Sequence, residues 1–290
     1  MNTKILNGKK ISLKILKTLK KKVKLEIYNY HRPPGLAIIL IGNKPESLLY
    51  ISNKKKAGNF VGFYIQYYIF NISISEDKVL KKIQELNKNI NIDGIIIQLP
   101  IPKHLNILTI FRHISPKKDV ECFHPYNIGL SYLKNSSFRS CTPRGIITLL
   151  EHYQINIKGF NALIISSSIT VGRPMFLELL HKGCTITIAH KFTKNILKFT
   201  KISDLIIIAI GKPNFLLGQW IKKGAIIIDV GINYLKNKKI VGDVHYKTVS
   251  LKTSYITPVP GGIGPMTVAA LLQNTFEAFQ KQKKKLKKIF

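Results

Sequence analysis

The chain has 290 residues, room for two domains of ordinary size, with 45% hydrophobic residues and a formal charge of +32 from 46 Lys and Arg against 14 Asp and Glu. Its apolar runs are short, which excludes a membrane-spanning helix, and Met1 to Lys20 interleaves lysine with isoleucine and leucine without the apolar core or small-residue cleavage site of a secretion signal. Cys122, Cys141 and Cys184 are widely spaced and odd in number, which suits reduced thiols in a cytosol, and the histidines show no metal-ligand spacing, so no metal is expected.

In chain order, runs of isoleucine, leucine and alanine are each followed by a turn and an amphipathic stretch, the pattern of βαβ units and a parallel sheet. The first predicted strand is Leu36 to Ile41, closed by Gly42. A helix over Pro45 to Ala57 follows, with proline in its first turn and Gly58 and Gly62 punctuating its end. Tyr50 and Lys54 project from one face of that helix, where a lysine can do acid/base work; the counterweight is that Lys54, Lys55 and Lys56 form a run, and runs are usually solvated. Tyr64, Tyr67, Tyr68 and Phe70 read as a strand with two usable faces, and Gly94 to Leu99, closed by Pro100, as the next. The polar stretch Lys134 to Ser140 marks a domain border, followed by Thr142 and Pro143 as the cap and first position of a helix.

Strands are then expected at Ala162 to Ile165, Thr185 to Ala189, Leu205 to Ile210 and Ala225 to Val230. After the first of these comes Ser166, Ser167, Ser168, Ile169, Thr170, Val171, Gly172, Arg173 and Pro174, then a helical pattern. This strand, turn and helix N-terminus can hold a pyrophosphate on exposed N–H groups, with Gly172 allowing close approach, although a serine turn can equally be a plain cap. About 20 residues further on, where an acid would hold the ribose hydroxyls of NAD, stand Lys191 and Thr193, which with Arg173 favour the 2′-phosphate of NADP. Gly211-Lys212-Pro213 and Asp229 to Asn233 follow apolar strands in the same manner. The last helix has an apolar stripe at Val268, Leu271, Leu272, Thr275, Phe276 and Phe279, and its tail, Lys281 to Lys288, reads as a frayed end.

Together, Tyr50-xxx-Lys54, Asp93 to Pro102, Lys118 to Asn127, Cys141 to Gly145, Val171 to Pro174, Gly211 to Pro213, Asp229 to Asn233 and Pro258 to Thr267 resemble the tetrahydrofolate dehydrogenase/cyclohydrolase family over essentially the whole chain. The resemblance implies a two-domain α/β fold: residues 1–140 plus 268–290 form a folate-binding catalytic domain, and residues 141–267 form a Rossmann-like NADP-binding domain, with a cleft between them. It implies NADP-dependent oxidation of 5,10-methylenetetrahydrofolate followed by hydrolysis to 10-formyltetrahydrofolate, in a cytoplasmic homodimer serving purine, methionine and histidine biosynthesis, with neither nucleic acid nor membrane as partner. It assigns Lys54 to acid/base work, Gln98 to orienting Lys54, Tyr50 to stacking on the folate, and Glu121 to the pterin ring. Pro100, Pro260, Gly261 and Thr267 line the substrate, and Ser166, Ser167, Ser168, Gly172, Arg173, Pro174, Lys191, Thr193 and Ile232 the cofactor. The family carries aspartate where Glu121 stands, glycine where Cys122 and Ser166 stand, and a polar residue at Ile169. Glutamate keeps the acid but is longer, and Cys122 is strained if its φ is positive. Two further readings stay open: one half-reaction impaired by these departures, and a non-catalytic protein using its positive surface on nucleic acid.

Overall fold

The computed structural model describes residues 3–136, 138–235 and 239–286. Its elements in chain order are β1 (Lys4–Ile5), α1 (Gly8–Tyr30), β2 (Gly35–Ile41), α2 (Pro45–Val61), β3 (Tyr64–Phe70), α3 (Glu76–Lys88), β4 (Gly94–Ile97), α4 (Ile107–His113) and α5 (Pro125–Tyr132). They continue with α6 (Cys141–His152), β5 (Asn161–Ile165), α7 (Gly172–His181), β6 (Thr185–Ala189), α8 (Ile196–Thr200), β7 (Leu205–Ile208), a 3₁₀ turn (Gly218–Trp220) and β8 (Ile226–Asp229). The last are β9 (Asn233–Tyr234), β10 (Ile240–Val241), α9 (Tyr246–Val249), β11 (Tyr255–Ile256) and α10 (Ile263–Leu286). No described helix is long and apolar enough to cross a membrane.

The chain divides into two compact units. One comprises Leu13–Cys141 and Val268–Phe290, the other Met1–Ser12 and Thr142–Thr267. The first twelve residues therefore do not group with the first unit as expected. The cause is pairing: β1 lies parallel to β11, with Lys4 opposite Tyr255 and Ile5 opposite Ile256, and Leu6 beyond it is fully buried.

The first unit is built on a parallel three-stranded sheet in the order β3-β2-β4. Its central strand is apolar at every position and buried throughout, as a parallel strand covered on both faces must be. Alternate side chains serve opposite layers. Leu36, Ile38 and Leu40 join Leu19, Val23, Leu271, Leu272 and Phe276, while Ala37, Ile39 and Ile41 join Val79, Ile83, Leu86, Ile110 and Phe111. Of the expected stripe Val268 is only half-buried and the rest is buried, and the last helix also buries Ala269, Ala270, Asn274 and Ala278. Asn274 donates to the carbonyls of Val120 and Arg139 at 2.7 and 2.8 Å. The tail beyond 286 lies outside the described residues.

The helix predicted to close near Gly58 runs on to Val61, where Gly62, at φ 88°, donates its N–H to the carbonyls of Gly58 and Asn59. Gly58 is instead a close-approach position, since a Cβ there would come within 1.9 Å of Ile65 on β3. The strand from Gly94 stops at Ile97, two residues early. Gln98 still donates to the Ile39 carbonyl at 2.8 Å, but Pro100 has no N–H to extend the ladder.

The second unit holds a six-stranded sheet, β1-β11-β8-β7-β5-β6, parallel at every pairing. After β1, the next strand of this sheet in the chain is β5, with β6 laid on one side of it and then β7 on the other. That reversal puts a crevice at the carboxyl ends of β5 and β7, where doubly wound sheets take ligands. The helix expected to start at Pro143 begins two residues earlier, at Cys141, so Thr142 lies inside it and does not cap it; the Thr142 hydroxyl lies 3.1 Å from that of Thr267.

Candidate active site

Lys54 sits on α2, the crossover between β2 and β3, and its side chain turns inward. It is only 7% exposed, whereas Lys55 and Lys56 are exposed. Burial separates three residues of identical type. Lys54 Nζ donates to Gln98 Oε1 at 3.0 Å, and Gln98 holds its own rotamer by donating to the Leu99 carbonyl at 2.9 Å. Glu121 Oε1 lies 3.7 Å from Lys54 Nζ.

These residues meet because their backbones share an edge: Gln98 follows β4, and the segment before Glu121 runs alongside it. Ile95 bridges Asp119 in parallel and donates to Lys118 O at 2.8 Å. Both side chains thus stand at carboxyl ends of neighbouring extended segments, with Lys54 facing them from a helix. Burial pushes the Glu121 carboxyl up from the ordinary carboxylate range; Lys54 opposes this and the Asp119 charge adds to it. Tyr50 is half-buried, one turn before Lys54, and Pro100 follows Gln98 by two residues. Pro260, Gly261 and Thr267 belong to the other unit. There Gly261 adopts φ 102° and accepts the Lys9 N–H at 2.8 Å, while Thr267 donates to Ile263 O at 3.2 Å. Cys122 adopts φ 64°, so the position where the family has glycine is indeed left-handed, at a cost of about 1 kcal/mol or more.

In the six-stranded unit, β5 ends in the serine turn and α7 begins at Gly172. Ser166 is buried. The Ser168 hydroxyl accepts the N–H groups of Val171 and Gly172 at 3.2 and 3.3 Å, so it closes the helix end itself. A Cβ on Gly172 would come within 2.2 Å of Ser166 O, so only glycine lets the helix start this close to the strand end. This approach, at the strand-order reversal, fits a dinucleotide pyrophosphate. Ser167, Arg173 and Lys191 are exposed around it, with Pro174 and Ile232 half-buried. Arg173 Nε donates to Ser167 O at 3.2 Å, Lys191 Nζ lies 4.7 Å from the Phe192 ring centre, and the Thr193 hydroxyl accepts the His190 N–H at 2.9 Å.

Sequence reasoning missed the pair of carboxylates that shapes the neighbouring loops. Asp229, closing β8, accepts the N–H groups of Gly231, Asp243 and Val244 at 2.9, 3.0 and 3.0 Å. Asp243 accepts those of Ile210 and Gly211 at 2.7 and 3.1 Å and the Asn233 amide at 2.9 Å. The predicted strand to Ile210 stops short for this reason: Ala209 still donates to Ile165 O at 3.1 Å, but the amides of Ile210 and Gly211 turn to a carboxylate. The only sequence signal was glycine beside each acid. Cβ atoms on Gly231 and Gly242 would reach within 2.2 Å of Asp243 and 1.8 Å of Asp229. Among the described residues no group of three His, Cys, Asp or Glu could hold a metal.

A buried lysine between an amide and an acid on one parallel sheet, and a glycine-tight strand–turn–helix at the strand reversal of another, define a two-domain α/β enzyme that uses a dinucleotide. The catalytic-domain profile of the tetrahydrofolate dehydrogenase/cyclohydrolase family matches residues 6–121, and its NAD(P)-binding-domain profile residues 140–283. The chain belongs to that family. It is 57% identical over 281 residues to the bifunctional protein FolD of Buchnera aphidicola subsp. Cinara cedri, covering 96% of this chain and 99% of that one. The bifunctional FolD methylenetetrahydrofolate dehydrogenase/cyclohydrolase of Campylobacter jejuni superposes with a TM-score of 0.94 at 42% identity, over 97% of this chain and 99% of its own. The Trypanosoma brucei FolD, solved with NADP and an inhibitor, does so with a TM-score of 0.94 at 30% identity and the same coverage.

Proposed function

We propose that the chain oxidises 5,10-methylenetetrahydrofolate to the 5,10-methenyl cation with NADP and then hydrolyses that cation to 10-formyltetrahydrofolate. The observation that carries this is the buried Lys54 amine, 3.0 Å from Gln98 and 3.7 Å from Glu121. The serine turn would hold the pyrophosphate of NADP, with Lys191 and Arg173 at its 2′-phosphate, and the bound cofactor would supply the hydride acceptor of the first step. In the second, Lys54 as the neutral amine takes one proton of the attacking water and returns it to the ring nitrogen as its bond to the one-carbon unit breaks, while the adduct's hydroxyl proton leaves to solvent as the formyl carbonyl forms. Gln98 restricts the lysine rotamer, Glu121 accepts hydrogen bonds from the pterin, and Tyr50 stacks on the folate, with Pro100, Pro260, Gly261 and Thr267 completing the substrate contacts.

The product suits purine, methionine and histidine biosynthesis in the cytoplasm, and the reaction calls for no nucleic acid. A homodimer is consistent with the first unit's surface: β3 is an edge strand exposing Tyr64 and Ile69, next in sequence to α2, which exposes Leu48 and Leu49. Lys54→Met is the test. Cyclohydrolase turnover should fall by about a hundredfold or more, while NADP reduction with methylenetetrahydrofolate keeps a larger share. Equal, minor losses in both would refute the assignment.

A further inference from the structure

Asp119 has no part in the mechanism above, yet it is the most fully satisfied acid near Glu121. It is 2% exposed, two residues before Glu121. Its Oδ1 accepts the Phe123 N–H at 3.1 Å, and its Oδ2 accepts the His124 N–H and the Asn127 amide, both at 2.8 Å. All three partners are donors, so the group is placed as a carboxylate. Asn127 Nδ2 also donates to Pro116 O at 2.9 Å, and His124 Nδ1 accepts the Tyr126 N–H at 3.0 Å, capping α5. The segment from 116 to 127 is thereby tied into a loop around one buried anion. Within it the chain turns through left-handed Cys122, whose N–H donates to Asp119 O at 3.4 Å, and that turn aims Glu121 at Lys54.

We propose that Asp119 is a positioning residue: it fixes the turn that sets Glu121 against Lys54, and its buried charge makes folate binding by Glu121 depend on pH. The inference rests on the proposed role of Glu121 as the pterin acceptor. The charged groups acting on Glu121 are Lys54 from α2 and Asp119 on its own segment; Gln98 beside them is neutral. Burial raises the Glu121 carboxyl most, Lys54 opposes, and Asp119 adds to the rise. Ionised Glu121 offers both oxygens as acceptors and protonation turns one into a donor, so affinity is greatest above its raised pKa and weakens as pH falls through it.

Two variants separate charge from position. Asp119→Asn removes the anion, so the acid limb of kcat/KM for methylenetetrahydrofolate should move about one pH unit lower. Asn127→Ala leaves the Phe123 and His124 N–H groups on the Asp119 carboxylate but loosens the loop, so the limb should move less than in Asp119→Asn while KM rises about tenfold or more. A folded Asp119→Asn enzyme with wild-type limb and KM would overturn the proposal. If that variant does not fold, an unchanged KM in Asn127→Ala does so instead. Glu121→Gln is the control for the parent reading: if it leaves the folate KM unaltered, the role of Glu121 fails. If it raises KM while Asp119→Asn changes nothing, only the present inference fails.

Discussion

At the scale of single residues the two interlocked acids of the six-stranded unit make a testable demand on stability. Burial, with the Asp243 charge adding to it, pushes the Asp229 carboxyl up to about 7 from 3.8, against three backbone N–H groups that pull it down. A raised carboxyl binds its proton more tightly in the folded state. Its contribution is complete below about pH 4 and is lost as pH rises through 7, on the order of 4 kcal/mol across that window. The Asp119 and Glu121 carboxyls are raised too and act in the same direction; Asp204, held low by Lys222, acts in the opposite one. Thermal melting should therefore give a lower Tm at pH 7.5 than at pH 5, with a smaller difference in Asp229→Asn. A Tm that climbs over that range would contradict the account. None of this was legible in the sequence, because Asp229 and Asp243 are far apart in the chain. Lys54 was half legible: its spacing from Tyr50 was plain, but only three-dimensional burial distinguishes it from Lys55 and Lys56.

Strands read well from sequence where the apolar run stopped at a polar residue or glycine, as at β2 before Gly42, β5 before Ser166 and β6 before His190. They were overextended where a backbone amide found a partner off the ladder, as Ile210 and Gly211 do with Asp243. Helix ends were misjudged for a related reason: glycine was taken as punctuation, yet Gly58 lies inside α2 as a contact point. Gly172 is the same kind of residue with a functional consequence. Its virtual Cβ meets backbone, Ser166 O at 2.2 Å, and backbone cannot swing aside as a side chain can. Gly172→Ala should displace the start of α7 from the end of β5. The expected result is at least a tenfold weaker NADP affinity by titration calorimetry, since a shift of about 1 Å in a preorganised site can cost a hundredfold. The acid/base constellation of the other unit should be untouched, so cyclohydrolase activity assayed without cofactor should persist. Unchanged NADP binding would show that the serine turn does not hold the pyrophosphate.

For the whole molecule, sequence order misled in one place: the first twelve residues sit in the unit that is otherwise formed more than a hundred positions later. Such a long-range parallel pairing leaves little local trace, since β1 is two residues long and both its side chains are exposed. The net charge is the property no element explains. With 46 Lys and Arg against 14 Asp and Glu, the difference of 32 positive charges must be held within one chain. The clearest compensations are local: buried Arg32–Asp93 at 2.8 Å, then Lys182–Glu151 and Lys222–Asp204 at the surface. Exposed pairs contribute little, and salt weakens them further, whereas repulsion among the remaining lysines acts over many pairs and over distances that salt also screens. Repulsion should win. Raising NaCl from about 0.05 to 0.5 M, which shortens the screening length from above 10 Å to below 5 Å, should raise Tm by several degrees. The same screening should release any nucleic acid the protein carries at low salt, with a steep dependence of log affinity on log salt. A Tm that falls with salt would mean that the ion pairs outweigh the repulsion, and nucleic-acid binding that survives physiological salt would mean that the charge has a partner.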